Sequence, residues 1–281
     1  MRAIYTITPS WLMKNRAELA KGVRTLKKLG FRVKNAVFKT KLPSPREKAR
    51  ELAAAYLDKN SDIILAQRGG YSSLKMLPFV NFDLIKKQRK LLAGFSDITT
   101  LLNSVYERTG QITLHSPMII NLDKPTSFTA RSFMNAVNGF PEKNLFKSAP
   151  VKVYRHGKAS GILKGGNLVT LTSLMGTKWE TVTRGAIIFL EDVDEEPHRI
   201  DRYLTQWMLA GKFKGVKGLI LGDFRGVNNQ QVYEVLKNQM KLNIPVVHCP
   251  YIGHVKNKIT LPIGAKVTLD THKKQLLISN I

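Results

Sequence analysis

At 281 residues with 43% hydrophobic content, the chain can bury one large core or two smaller ones, and it lacks the low-complexity tracts and short repeats of disordered or solenoid proteins. Its 45 Lys and Arg against 20 Asp and Glu leave a net charge of +25, which attracts anions. The basic residues are scattered, as in Lys27-Lys28, Lys86-Lys87-Gln88-Arg89-Lys90 and Lys273-Lys274, without a basic arm, zinc-finger spacing or aromatic RNP sequence, so specific nucleic-acid binding is not expected.

Segment 2–7 is strand-like and leads through Thr8-Pro9-Ser10 to a helix expected over 16–29, with Leu19, Val23, Leu26 and Leu29 on one face and Gly30 at its end. Phe31-Arg32-Val33 opens a second strand. Ser44-Pro45-Arg46-Glu47 reads as a helix start, continued by apolar Ala49, Leu52, Ala53 and Tyr56. Two buried-strand runs follow: 62–66, ending in Gln67-Arg68-Gly69-Gly70-Tyr71, and 91–94, ending in Phe95-Ser96-Asp97-Ile98-Thr99. Strands alternating with helices predict a parallel sheet with its functional loops at the strands' carboxyl ends, which puts both of these turns on one edge.

Around 145–160 the alternation fades into a polar, basic stretch read as an interdomain linker, giving domains of 1–150 and 151–281. The second half is richer in strands, expected at 161–163, 185–190, 218–222, 245–247 and 266–269, with helices at 168–175, 199–210 and 229–240. The fold class is therefore α/β: a parallel-sheet N-terminal domain and a smaller, strand-rich α/β C-terminal domain. No apolar run has the length of a signal-peptide core or a membrane span, and the single Cys249 excludes an intramolecular disulfide. A soluble, cytoplasmic protein is expected.

A serine on a sharp strand-to-helix turn exposes its hydroxyl and makes Ser96 a candidate nucleophile. Paired glycines can turn N–H groups toward an anion, so Gly69 and Gly70, with the N–H of Asp97, form a candidate oxyanion hole. The Asp97 carboxylate is expected to cap the helix beginning at Ile98. Ser72 and Ser73 read as loop-lining hydroxyls, and Cys249 has no activating neighbour.

Such a serine needs a base and a group that orients it. Glu191-Asp192-Val193-Asp194-Glu195-Glu196 holds five carboxylates in six residues, and Glu191, at the end of a strongly apolar strand, is the one whose position is fixed. A metal loop or a solvated acidic turn is the alternative, although the nearby His198 is a lone imidazole at poor zinc spacing. His254, in a Gly-flanked loop, and His115, in Leu114-His115-Ser116-Pro117, are rival bases; His248 reads as a packing residue. Gly161 to Asn167 contains neither a Walker A nor a Rossmann order, so a nucleotide site there has little support.

Together, Arg68-Gly69-Gly70-Tyr71, Gly94-Phe95-Ser96-Asp97-Ile98-Thr99, His115-Ser116-Pro117, Gly161 to Asn167, Leu190-Glu191-Asp192-Val193, Arg199-Ile200-Asp201-Arg202 and Gly253-His254 with Leu261-Pro262-Ile263-Gly264 resemble the LD-carboxypeptidase family. These serine peptidases include murein tetrapeptide carboxypeptidases and microcin C immunity proteins. The resemblance implies a Ser96-Glu191-His254 triad, which decides between His254 and His115. It also implies a flavodoxin-like first domain, a homodimer, no metal or organic cofactor, and release of terminal D-alanine from a small muropeptide in the cytoplasm. The substrate's free carboxylate would suit a basic pocket, for which Arg68 and Arg199, beside Tyr71, are candidates; either arginine could instead join the domains through a buried salt bridge.

The chain departs from the family pattern at Ser72-Ser73-Leu74-Lys75, where relatives commonly continue with Gly and Arg, at Ser116 in place of Gly, and at His198 in place of Tyr. These changes leave the triad intact and bear on pocket shape. The other expectations are an immunity-type hydrolase of a modified-nucleotide peptide amide, for which the short span from Glu191 to His254 leaves little room for an extra base-stacking loop, and a non-catalytic basic protein that binds nucleic acid or cell-wall polymer.

Overall fold

The fold, a computed structural model describing residues 2–239 and 243–280, begins with the expected alternation. Its first half runs β1 (Ala3–Ile7), α1 (Arg16–Lys28), β2 (Arg32–Lys34), α2 (Pro45–Leu57), β3 (Ile63–Ala66), α3 (Ser73–Met76), α4 (Phe82–Lys86), β4 (Leu91–Gly94), α5 (Thr99–Thr109), β5 (Thr113–His115) and α6 (Ser127–Val137). The strands pair in parallel in the order β2-β1-β3-β4-β5, the flavodoxin-like arrangement, and β3 is buried along its whole length. Helix α2 starts where its local code places it: Ser44 accepts from the Glu47 N–H, the Glu47 carboxylate accepts from the Ser44 N–H, and Pro45 takes the first turn.

The second half runs β6 (Lys152–Arg155), β7 (Lys158–Asn167), α7 (Leu168–Thr172), β8 (Ala186–Val193), α8 (Pro197–Leu209), β9 (Gly218–Arg225), α9 (Asn229–Gln239), β10 (Val246–His248), β11 (Leu261–Ile263), β12 (Lys266–Asp270) and β13 (Gln275–Asn280). A parallel core, β7-β8-β9-β10, is flanked by antiparallel β6 on one side and by β12 and β13 on the other. The polar stretch 145–160 is therefore not a bare linker, because β6 closes one edge of this sheet and β7 starts at Lys158. Helix α7 stops at Thr172 rather than 175, and α8 starts earlier than expected, at Pro197. Helix α9 ends at Gln239, the last described residue before the expected end at 240.

Two features tie the halves together. Strand β11 leaves the second half and pairs antiparallel with β5, tolerating Pro262 because it is the edge strand of the first sheet. The carboxyl end of β7 lies against the start of α5: Asn103 Nδ2 donates to the Gly165 carbonyl at 3.0 Å, and the Asn167 N–H donates to Thr99 Oγ1 at 3.2 Å. The approach is so close that a Cβ on Gly166, whose φ is +139°, would lie 2.5 Å from Thr99 Cγ2. Gly165 and Gly166 thus lie at an interdomain seam. A little further along the seam Lys164 Nζ meets Glu107 Oε1 at 2.7 Å, both side chains largely buried.

Candidate active site

Apolar β4 delivers the chain into a sharp turn at which Ser96 adopts φ +63°, a left-handed conformation that costs an L-residue about 1–2 kcal/mol. A 3₁₀ turn over Ser96–Ile98 then feeds α5. Strain held at this position by the surrounding sheet matches a nucleophile elbow. The Gly69 backbone lies alongside: a Cβ there would sit 3.1 Å from Ser96 Oγ. Among the described residues the N–H groups of Gly69, Gly70 and Asp97 serve no turn or cap hydrogen bond.

The Asp97 carboxylate does not cap the helix beginning at Ile98. It reaches back to accept from Ser10 Oγ at 2.6 Å and from the Ser73 N–H at 2.9 Å. Buried Lys48 donates to the Ser10 carbonyl at 3.0 Å and to Ser72 Oγ at 2.5 Å. A local capping preference loses here to partners that only the tertiary fold supplies. The polar group fixes the turns after β1, β3 and β4 against each other, and Ser72 and Ser73 belong to it.

The other half of the site comes from the second sheet. Glu191, fully buried in β8, has Oε2 2.9 Å from His254 Nδ1, and the His254 side chain is 19% exposed. Opposite Glu191 the β8–β9 ladder shifts register between Leu190 and Asp192, a bulge of the kind that re-aims side chains beside functional sites. Gly253 makes the contact possible: its φ is +118°, and a Cβ there would lie 2.8 Å from Glu191 Oε2. Burial on its own would raise the Glu191 pKa, but the hydrogen bond from His254 and the charge of nearby Lys258 help to outweigh it and hold the carboxyl below its ordinary value. An ionised Glu191 therefore holds the proton of the imidazole on Nδ1 and leaves Nε2 as the basic nitrogen.

Phe95, next to Ser96, joins the two halves. Its ring lies 4.8 Å from the His254 ring and 5.7 Å from the His115 ring, centroid to centroid. No hydrogen bond links Ser96 to His254 among the described residues. His115 is fully buried between Phe95 and Phe189 with neither nitrogen partnered, and burial pushes its pKa down to about 3, so it packs as a neutral ring.

Arg68 donates to the Leu12 carbonyl at 2.8 Å, lies 5.6 Å from the Trp11 ring centroid and has no carboxylate partner among the described residues. Arg199 is exposed and meets only Glu195, at 3.7 Å on the same helix start. Among the described residues neither arginine forms a buried interdomain salt bridge. Tyr71 is exposed under Lys75 Nζ, 4.9 Å from its ring centroid. The acidic run disperses: Asp194 pairs with Arg225, Glu195 with Arg199 and Glu196 with His198, while Asp192 accepts from Asn167 Nδ2 and the Val169 N–H. Asn103, Asn167, Trp11 and Lys258 were not singled out by residue type or spacing. Only the Gly165-Gly166 pair, a sign of close backbone approach, hinted at the seam.

Residues 4–116 match the LD-carboxypeptidase N-terminal domain and residues 160–269 match the LD-carboxypeptidase C-terminal domain. A probable murein peptide carboxypeptidase of Bacillus subtilis is 33% identical over 83% of this chain and 76% of its own. The chain belongs to the LD-carboxypeptidase family. Within it, the muramoyltetrapeptide carboxypeptidase from Oxalobacter formigenes superposes with a TM-score of 0.85 at 28% identity, covering 98% of this chain and 97% of that one. The microcin C7 self-immunity protein MccF of Escherichia coli is 29% identical over 92% of this chain and 87% of its own. Among the described residues, no helix is long and apolar enough to cross a membrane.

Proposed function

We propose that the protein is a serine carboxypeptidase that hydrolyses the LD-peptide bond releasing terminal D-alanine from murein tetrapeptides. The observation that carries this reading is the buried Glu191–His254 hydrogen bond set against the strained Ser96 turn through Phe95. His254 Nε2 takes the Ser96 proton, and Oγ attacks the scissile carbonyl. The N–H groups of Gly69, Gly70 and Asp97 hold the oxyanion. Glu191 keeps the tautomer and stabilises the imidazolium, which then protonates the leaving D-alanine amine. Water, activated by the same imidazole, releases the shortened peptide from the serine ester.

Arg68 is the arginine placed for the terminal carboxylate. It follows β3, lies beside the Gly69–Gly70 turn and spends one donor on Leu12, while Arg199 is already turned to Glu195. In this reading the enzyme works as a homodimer in the cytoplasm on recycled muropeptides.

A second reading rests on the likeness to MccF, for which a structure in complex with glutamyl sulfamoyl guanosine is known. An aminoacyl-sulfamoyl nucleoside would use the same triad. The two readings separate when purified protein is incubated with an LD-tetrapeptide or with an aminoacyl-sulfamoyl nucleoside and the products are weighed by mass spectrometry. Loss of one alanine residue from the tetrapeptide is expected. Cleavage of the nucleoside conjugate alone would favour the second reading.

A further inference from the structure

Lys258 is 2% exposed, a severe position for an ammonium. Buried Lys164 and Lys212 touch Glu107 and Glu180, whereas Lys258 touches no carboxylate among the described residues. Its Nζ donates to the Gly253 carbonyl and sits 3.8 Å from the centroid of the Phe95 ring. Those two partners are the residues immediately before His254 and before Ser96. The stem is held independently: the Lys258 N–H donates to Thr129 Oγ1 at 2.9 Å, the same hydroxyl donates to the Lys256 carbonyl at 3.0 Å, and the Ile259 N–H closes the loop onto the Tyr251 carbonyl at 2.8 Å. One ammonium, anchored from α6, thus joins the loop that carries the base to the turn that carries the nucleophile.

The same ammonium is a fixed charge within the cluster. The charged and titratable groups around His254 are Glu191, with Asp192 behind it, from β8; Asp223 from β9; His115 from β5; and Lys258 from its own loop. Lys258 is a buried cation whose charge is felt by Glu191 and Asp223.

We propose that Lys258 is a positioning residue of the acyl-transfer site, holding the His254 loop to the Ser96 turn. This inference rests on the triad reading above. Burial lowers the Lys258 pKa to about 8, with Glu191 and Asp223 opposing the fall, so the clamp itself loses its charge at the alkaline end of the working range.

The test compares pH profiles of D-alanine release for wild type, Lys258→Met and Lys258→Arg. Lys258→Met removes the cation that joins the two segments. Its kcat falls roughly tenfold to a hundredfold with KM little changed, because the base is misplaced rather than the substrate. Arginine cannot lose its proton in this range, so Lys258→Arg should lose the decline expected of wild type above about pH 8. Should the Met variant not fold, the Arg variant carries the test alone. An unchanged kcat in Lys258→Met, or an alkaline limb unchanged in Lys258→Arg, overturns the proposal. Failure of the triad reading is separately visible, as activity that survives Ser96→Ala.

Discussion

His254 Nδ1 stands 2.9 Å from Oε2 of Glu191, a carboxylate with no exposed surface that hangs from the end of an eight-residue strand. A buried carboxylate that stays ionised has one main task at this distance, to hold the imidazole tautomer. Glu191→Gln keeps the shape and loses the charge, so kcat should fall by about 10⁴ while KM and the folded structure persist. Steady-state kinetics of the variant on an LD-tetrapeptide provide the check, and a loss under tenfold would remove Glu191 from the mechanism.

The strain at Ser96 has a thermodynamic signature. Glycine adopts φ +63° freely and alanine does not. Both Ser96→Ala and Ser96→Gly should be inactive, and Ser96→Gly should be the more stable of the two by about 1 kcal/mol. Denaturant unfolding of the pair measures this; equal stability would mean that the turn carries no strain.

Gly253 is required by both space and backbone. An added methyl would meet Glu191 Oε2 at 2.8 Å and the Glu191 Cβ at 3.0 Å, at a φ of +118°. Gly253→Ala should lower kcat by about 10² through a displaced imidazole and cost about 1–3 kcal/mol of stability. Parallel activity and unfolding measurements decide the matter, and an unaffected kcat would show that the Gly253–Glu191 approach is dispensable.

His115 makes the fold sensitive to acid. Burial takes its pKa from 6.5 down to about 3, so below pH 6.5 the unfolded chain binds a proton that the folded one refuses. Stability from this group is whole above that pH and falls by about 1.4 kcal/mol per unit below it. Asp192 acts the other way. Burial and the neighbouring Glu191 hold its pKa up to about 7, against 3.8 unfolded, so between those values the folded state keeps a proton that the unfolded state has lost. The wild-type curve sums both effects. Subtracting the His115→Phe curve isolates the first, and that difference should grow as pH falls from 6.5 toward about 4.5. Curves that stay parallel in urea titrations would contradict it.

At the seam, Glu107 accepts from Lys164 at 2.7 Å and from the Val182 N–H at 3.0 Å. Removing one partner leaves a buried ammonium, so Glu107→Ala should cost about 3–5 kcal/mol, most of it regained when Lys164→Met is added. A double-mutant cycle in denaturant tests this, with additive losses as the contrary result.

The sequence made legible what depends on neighbours along the chain. The Ser44–Glu47 cap, the apolar runs of β3, β4 and β8, and the Gly94-Phe95-Ser96 turn are local patterns, and Glu191 stood out as a carboxylate ending an apolar strand. The edge strands β6 and β13 were not legible: Lys152–Arg155 lacks an apolar run, and its pairing with β10 comes from far along the chain. Asp97 was misassigned as a cap because its true partners, Ser10 and Ser73, arrive from other turns. Lys258 was missed for the same reason, since its meaning lies in Phe95, distant in sequence and 3.8 Å away in space.

The most direct test of the account is the release of D-alanine from an LD-tetrapeptide by wild-type protein and by Ser96→Ala, followed by mass spectrometry under identical conditions. The account predicts complete conversion by the wild type, an alanine-shortened peptide as the product, and none above background with Ser96→Ala. Conversion by Ser96→Ala at a wild-type rate, or an inert wild type, would contradict it.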